Sequence, residues 1–279
     1  MILYERKHNR FLHKGSPVCQ NFKNKHFYYT SCVKNCVFDC SYCFLKGMYE
    51  FRDIVVYTNL EDYFKTVDEK LKQIPAGDKL YLCVSFDTDL MPLEDKLHYI
   101  KRWCKYAKEK QNLIIEIRTK GHNLNSSFWE EIVNDNSIFA FTLSPQLFID
   151  LFEKGTSNIE KRLSTIELAQ KHNAKVRLCF DPIIYKSGWE DNYEKLIENT
   201  FKTIDKDKIQ DVSIGTFRIS KTYLKNMRRL YPNNVLAQFP YILKNGYYQY
   251  DEWIVDKLES FILDKLSNYI DRDKIFNWH

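Results

Sequence analysis

Cys36-Val-Phe-Asp-Cys40-Ser-Tyr-Cys43 is a C-x3-C-x2-C run, and it follows a short β-rich stretch, His26–Thr30. Three thiolates on one tight loop can hold three corners of a cubane iron–sulfur cluster and leave the fourth iron open to a cofactor or substrate. Two blander readings stand beside that one. With Cys32 as a fourth ligand the run becomes C-x3-C-x3-C-x2-C, a zinc loop, although zinc knuckles usually come in separated pairs and no second knuckle is present. The other is a set of unrelated buried thiols. The roles of Cys19 and Cys32 stay open.

Outward from the loop, β-rich runs alternate with helical periodicity. Leu60, Phe64, Val67, Leu71 and Ile74 recur at three- and four-residue spacing behind Asn59, a candidate N-cap. A strand over Lys79–Ser85 follows, then a helix marked by Leu97, Ile100, Trp103, Cys104 and Ala107, then a strand over Asn112–Arg118. The pair repeats in Ser126–Asn134 with Ile138–Leu143, Ile159–His172 with Lys175–Phe180, and Tyr193–Ile204 with Gln210–Thr216. Glu252–Tyr269 predicts a closing helix. About six strands, most followed by a helix, imply a parallel sheet of the α/β class. Six βα units are too few for an eight-fold barrel and suit a partial (β/α)6 TIM-like barrel, with its active site at the C-terminal strand ends. Residues 1–279 read as one domain, in which 1–35 form a basic N-terminal extension and 212–250 a basic, aromatic helix and hairpin.

Composition narrows the function. An apolar content of 44% with 28% charged residues fits a folded soluble chain. No apolar run approaches the roughly 20 residues that span a bilayer, so no membrane partner is expected. The start, MILYERKHNRFLHKG, is too charged for a secretory signal, which predicts a cytoplasmic protein with reduced or metal-bound cysteines. Only eight glycines are present and none form a phosphate loop or dinucleotide fingerprint. His13, His26, His98, His122 and His172 show no paired metal spacing. The net charge of +5 is unevenly spread. Residues 1–35 carry seven cations against Glu5, and residues 212–250 carry six against no acid, so the rest of the chain sums to −7. Two basic segments on an acidic body point to a polyanion.

The cysteine spacing, Tyr42 just before the last cysteine, and the loop's place after strand one together resemble the radical S-adenosylmethionine (SAM) superfamily. That resemblance implies a [4Fe-4S] cluster whose open iron binds SAM and reductively cleaves it to a 5′-deoxyadenosyl radical. It also implies an electron donor such as flavodoxin or ferredoxin. More of the chain is similar to the spore photoproduct lyase family within that superfamily. The stretches are CVFDCSYCFLK (36–46), VSFDTDLMPLE (84–94), RTKGH (118–122), FEKGTSNIEKR (152–162) and DPIIYKSGWEDNY (181–193). Members of that family repair DNA by reverting a thymine–thymine cross-link, so a DNA thymine lesion is the implied substrate. A radical SAM enzyme of the same fold acting on a peptide, RNA or small molecule is the alternative; a zinc-stabilised nucleic-acid-binding module is a third.

The resemblance carries over residue by residue. Cys36, Cys40 and Cys43 match the cluster ligands. Ser85, Asp87 and Thr88 fall where the family contacts the SAM amino group, and Lys120 matches a lysine for its carboxylate. Thr142 and Ser144 match positions near the ribose, and Tyr42 is retained as a catalytic and cofactor-contacting candidate. Two positions depart. The family carries a hydrogen-returning cysteine at the end of strand two, where this chain has Phe86, and a tyrosine after the last cluster cysteine, where it has Phe44. Cys83 is the nearest thiol and the catalytic candidate. Its odd offset from Phe86 turns it to the other face of a regular strand, where it would be a core thiol unless a bulge intervenes. In the second basic segment, Arg218, Lys221, Lys225, Arg228, Arg229 and Tyr247 combine cations with aromatic faces, as nucleic-acid contacts require. Asn245-Gly246 predicts a hairpin turn.

Overall fold

The alternating pattern closes into one curved sheet. In the computed structural model, which describes residues 1–16 and 19–277, six parallel strands run in chain order. They are β1 (His26–Tyr29), β2 (Leu80–Cys83), β3 (Leu113–Thr119), β4 (Ser137–Thr142), β5 (Lys175–Ile183) and β6 (Ile209–Thr216). The crossovers carry α1 (Leu60–Leu71), α2 (Tyr99–Lys108), α3 (Ser126–Ile132), α4 (Ile159–Lys171) and α5 (Trp189–Thr203). Helices α6 (Lys221–Leu230) and α7 (Glu252–Ser267) follow β6. The partial βα barrel is as the periodicity predicts, with boundaries moved by a few residues.

Two edge strands escaped the sequence reading. His13–Lys14 pairs antiparallel with β1, and Ile275–Asn277 pairs parallel with β6, making eight strands in the sheet. Both are too short to show an alternation. Asn59 does not cap α1. Its amide instead accepts from the Lys7 N–H at 2.9 Å and donates to the Lys7 carbonyl at 2.9 Å, tying down the chain's beginning. Residues 1–35 are woven into the fold: Ile2–Glu5 lies parallel to Ile54–Tyr57, and Val33–Lys34 antiparallel to the same strand.

The two faces of the sheet differ in chemistry because successive side chains alternate. Leu80 and Leu82, Ile115 and Ile117, Phe139 and Phe141, Val176 and Leu178, and Val212 and Ile214 point outward and are fully buried under the helices. The inner face carries Tyr81, Cys83, Glu116, Arg118, Arg177, Cys179, Asp211 and Ser213. Phe22, Phe27, Tyr81, Cys83 and Ile138 form a separate apolar cluster there. Deep in this lumen Arg177 pairs with Glu116 and Asp211, donates to the Tyr81 hydroxyl oxygen, and stacks 3.2 Å from the centroid of Phe22. Among the described residues no helix is long and apolar enough to cross a membrane.

Candidate functional site

The cysteine loop is fixed at the mouth of the lumen by backbone pairing. Asp39–Cys40 pairs antiparallel with Glu153–Lys154, Ser41 donates to the Phe152 carbonyl at 2.7 Å, and the Cys43 N–H turns back to the Cys40 carbonyl at 3.2 Å. Burial pushes the Cys36 thiol up to about 12 and raises Cys40 and Cys43 as well. Buried thiols of this kind ionise only against a positive partner, which iron provides. Among the described residues no three His, Cys, Asp or Glu side chains converge as around a single metal ion. A cubane has a different need, one thiolate on each of three irons. The Cys32 thiol is fully buried and contacts the Val84 carbonyl, just beyond β2, at 3.7 Å.

Beside the loop the C-terminal strand ends leave polar atoms without partners. Asp87 Oδ1, Thr88 Oγ1 and Thr142 Oγ1 are buried and make no hydrogen bond. The other Asp87 oxygen is held by the Ser31 hydroxyl and by the Tyr49 hydroxyl at 3.0 Å, which aims the unpartnered one. Lys120 projects from the turn after β3, its ammonium 5.7 Å from the Tyr42 ring centroid, with no ion pair among the described residues. Asp89 sets that turn, accepting from the Lys120 N–H at 2.6 Å and from Thr119 Oγ1. Native interiors rarely tolerate unsatisfied buried oxygens, and three of them at the C-terminal strand ends mark a candidate ligand site. A carboxylate for Lys120, an ammonium for Asp87 and hydroxyls for the two threonines are what an amino acid linked to a ribose offers. The chain therefore fits SAM, and its three loop thiols fit the cluster.

Three predicted contacts have a different task. The Ser85 hydroxyl accepts from the Arg118 N–H at 2.8 Å and donates to the Arg118 carbonyl at 3.2 Å, stitching the β2 end to β3. Ser144 Oγ donates to Glu153 at 2.7 Å, and the buried Tyr42 hydroxyl donates to the same carboxylate. Arg162, fully buried, completes the group: it pairs with Glu153, donates to the Thr142 carbonyl at 2.8 Å and to the Ser157 carbonyl at 2.9 Å. Burial would raise the Glu153 carboxyl, but Arg162 and Lys120 hold it below its ordinary value. Tyr42 and Ser144 thus position the cysteine loop and the β4 end instead of presenting free hydroxyls. The sequence reading missed Glu153 and Arg162 as a pair. Both lie in FEKGTSNIEKR, where two charged residues flanking small polar ones were the available signal.

Cys83 also needs correction. β2 stops at Cys83, and the chain then bends into a single bridge between Ser85 and Ser31, so alternation does not extend to Phe86. Both residues consequently pack in the lumen cluster. The Cys83 thiol contacts Glu116 Oε1 at 3.6 Å, and burial holds its pKa well above the usual value. Phe86 stacks on Tyr29 with centroids 4.1 Å apart, Phe44 lies 5.6 Å from Phe86, and Tyr223 stacks on Phe44 at 6.3 Å. These rings form a ribbon across the mouth.

The basic segment splits. Helix α6 rests on Leu45–Met48 through Gly47, where an added Cβ would lie 2.0 Å from the Tyr223 carbonyl oxygen. Asn245-Gly246 makes the predicted turn, both residues at positive φ, between Ile242–Lys244 and Tyr247–Gln249. Arg218 turns inward to Asp181 at 3.2 Å and the Thr216 carbonyl at 3.0 Å. Arg228 holds the Ala237 and Phe239 carbonyls at 2.7 and 2.9 Å, and Arg229 pairs with Glu50 at 2.6 Å. Arg218 and Arg228 are therefore structural ties, a correction to their reading as nucleic-acid contacts. Lys221 and Lys225 are exposed, and Tyr247 is half-buried on the hairpin.

Comparison with known proteins agrees with this geometry. Residues 21–272 match the family model described as spore photoproduct lyase. The spore photoproduct lyase of Bacillus subtilis (strain 168) is 24% identical over 242 residues, covering 85% of this chain and 70% of that protein. Among solved structures, a spore photoproduct lyase complexed with dinucleoside spore photoproduct superimposes with a TM-score of 0.83 at 18% identity, over 100% of this chain and 82% of that one. A mutant lyase with bound AdoMet and the same dinucleoside gives 0.78 at 18% identity, over 89% and 75%. At such identities the structural likeness establishes the fold.

Proposed function

The chain belongs to the spore photoproduct lyase family, and on that premise we propose that it is a radical SAM enzyme that reverts thymine cross-links in DNA. The observation that carries the reading is the set of unpartnered oxygens on Asp87, Thr88 and Thr142 facing the same mouth as Lys120 and the cysteine loop. Cys36, Cys40 and Cys43 would hold a [4Fe-4S] cluster. Bound there, the cluster would supply one electron to cleave SAM into methionine and a 5′-deoxyadenosyl radical.

The protein's own residues bind, orient and shield. Lys120 pairs with the SAM carboxylate and Asp87 accepts from its amino group, each as a charge-assisted contact. Glu153 and Arg162 keep Tyr42, and with it the loop, from moving. The ribbon of Tyr29, Phe86, Phe44 and Tyr223 offers apolar faces on which a pyrimidine can stack while water is excluded. Cys83, on the lumen wall against Phe86, is the thiol we assign to returning a hydrogen atom. Lys221, Lys225 and the hairpin with Tyr247 contact the DNA flanking an extruded lesion. The reading also implies a flavodoxin- or ferredoxin-type donor and a cytoplasmic setting.

Anaerobic reconstitution should give a brown protein absorbing at roughly 400 nm that cleaves SAM after reduction. Incubated with dinucleotide spore photoproduct, it should release thymidylyl-thymidine. Cys36→Ala should abolish both the colour and the cleavage. A competent cluster with no turnover of that lesion would move the proposal to another substrate, the reading that Phe86 and Phe44 favour. One zinc per chain and no SAM cleavage would end the enzymatic proposal. Cys83→Ala should keep SAM cleavage and lose repaired product; full repair by that variant removes Cys83 from the assignment.

A further inference from the structure

The N-terminal basic surplus has a specific place in the fold. Of its seven cations, Arg6 pairs with Asp62 at 3.3 Å and Lys25 with Asp78 at 3.6 Å. Lys7 and Lys34 behave differently. Both ammonium groups sit over one ring, Tyr57, at 5.2 and 5.5 Å from its centroid, and Lys7 is also 5.5 Å from Tyr63. Neither has a carboxylate at ion-pair distance among the described residues. Burial lowers the pKa of Lys7, and the charge of Lys34 lowers it further.

The backbone forces this pairing. Lys34 ends the short strand opposite Val55, while Asn59 grips both backbone groups of Lys7. Two like charges held against one aromatic ring are relieved most by anions, one for each ammonium. The place is equally informative. Lys7 also lies over Tyr63, whose hydroxyl donates to the Ser31 carbonyl at 2.8 Å, and the Ser31 hydroxyl donates in turn to Asp87. The lysine pair is therefore linked to the mouth through Tyr63, Ser31 and Asp87, while α6 reaches it through Tyr223, stacked on Phe44.

We propose that Lys7 and Lys34 form a phosphate-binding site for the nucleic-acid backbone, a second bank opposite Lys221 and Lys225. This rests on the DNA reading above and adds to it a second grip. With phosphates held on both sides, the nucleotide between them is presented to the mouth, which is what extrusion of a lesion requires.

The test is the salt dependence of binding to a lesion-free 20-base-pair duplex, read by fluorescence anisotropy on the cluster-reconstituted full chain. Each phosphate contact contributes about −0.9 to the slope of log K against log salt. Lys7→Gln/Lys34→Gln should flatten that slope by about 1.8, and Lys7→Arg/Lys34→Arg should restore it. Because Lys7 is half-buried, Lys34→Gln alone serves as the gentler variant, with an expected change of about 0.9. An unchanged slope in both glutamine variants, while Lys221→Gln/Lys225→Gln flattens it, overturns the second bank and leaves the DNA reading intact. A wild-type chain that does not bind the duplex overturns both.

Discussion

The floor of the lumen and its mouth are lined by the same strands, yet they treat buried charges in opposite ways. On the floor Arg177 meets Glu116, Asp211 and Tyr81, so every charge faces a partner. At the mouth, beyond the C-terminal strand ends, Asp87, Thr88 and Thr142 keep unpartnered oxygens and Lys120 makes no ion pair among the described residues. A satisfied buried network holds a structure together, whereas an unsatisfied one is stable only because something else completes it. The floor is scaffold, and the mouth is the candidate binding site.

Substitutions can break this contrast. The largest effect belongs on the floor. Arg177→Met strands the buried Asp211 carboxylate and takes from Glu116 one of its two arginines, and should cost about 3–5 kcal/mol, lowering Tm by roughly 6–15 °C in a thermal melt. A Tm within error of wild type would make the network dispensable.

Glu94 is an intermediate case. It is buried with two backbone N–H donors, Ile100 at 2.7 Å and Lys101 at 3.0 Å, and no cation in ion-pair contact; burial pushes its pKa from 4.5 up to about 7. The native carboxyl thus holds its proton more tightly than the unfolded one. Its contribution to stability is full below the unfolded value and falls as pH rises through about 7. Glu94→Gln should remove a loss of a few kcal/mol, at about 1.4 per pH unit. Urea unfolding at several pH values between about 5 and 8 would show a flatter profile in the variant. Parallel profiles would place the titration elsewhere.

At the mouth the effects should appear in binding instead of stability. Lys120→Met removes a charge-assisted contact worth about 1.5–3 kcal/mol, weakening SAM roughly ten- to hundredfold by calorimetry with little change in Tm. Smallest is Thr142→Val. Replacing an unpartnered hydroxyl by a methyl should leave Tm unchanged or raise it slightly, at most about 1 kcal/mol, while SAM binding weakens about threefold to tenfold. A clear loss of stability would mean that Thr142 Oγ1 already has a partner and would blur the contrast.

Several features could be read before folding because they are local. The cysteine loop needs only eight consecutive residues, the Asn245-Gly246 turn only two, and the βα alternation only the period of apolar residues. Lys120, Asp87 and Thr142 were picked out by the resemblance, Lys120 and Asp87 because each lies in a short run of consecutive residues that matches the family. Glu153 and Arg162 could not be assigned, since their partner Tyr42 lies over a hundred positions away and only the pairing of Asp39–Cys40 with Glu153–Lys154 brings them together.

Chain-local chemistry therefore determined the fold class and the cysteine loop, and the resemblance supplied the candidate residues at the mouth. The tertiary structure decided which of those residues are free to act. Ser85, Ser144, Arg218 and Arg228 look like ligands in sequence, but each meets a backbone or carboxylate partner once the strands and α6 are packed. Cys83 faces the lumen with Phe86 because β2 ends where alternation would have separated them. Lys7 and Lys34, a charge count in sequence, become a pair because two backbone pairings converge on Tyr57. The physical reason is common to all: a side chain's availability is what remains after every neighbour has been satisfied, and neighbours are set by the fold.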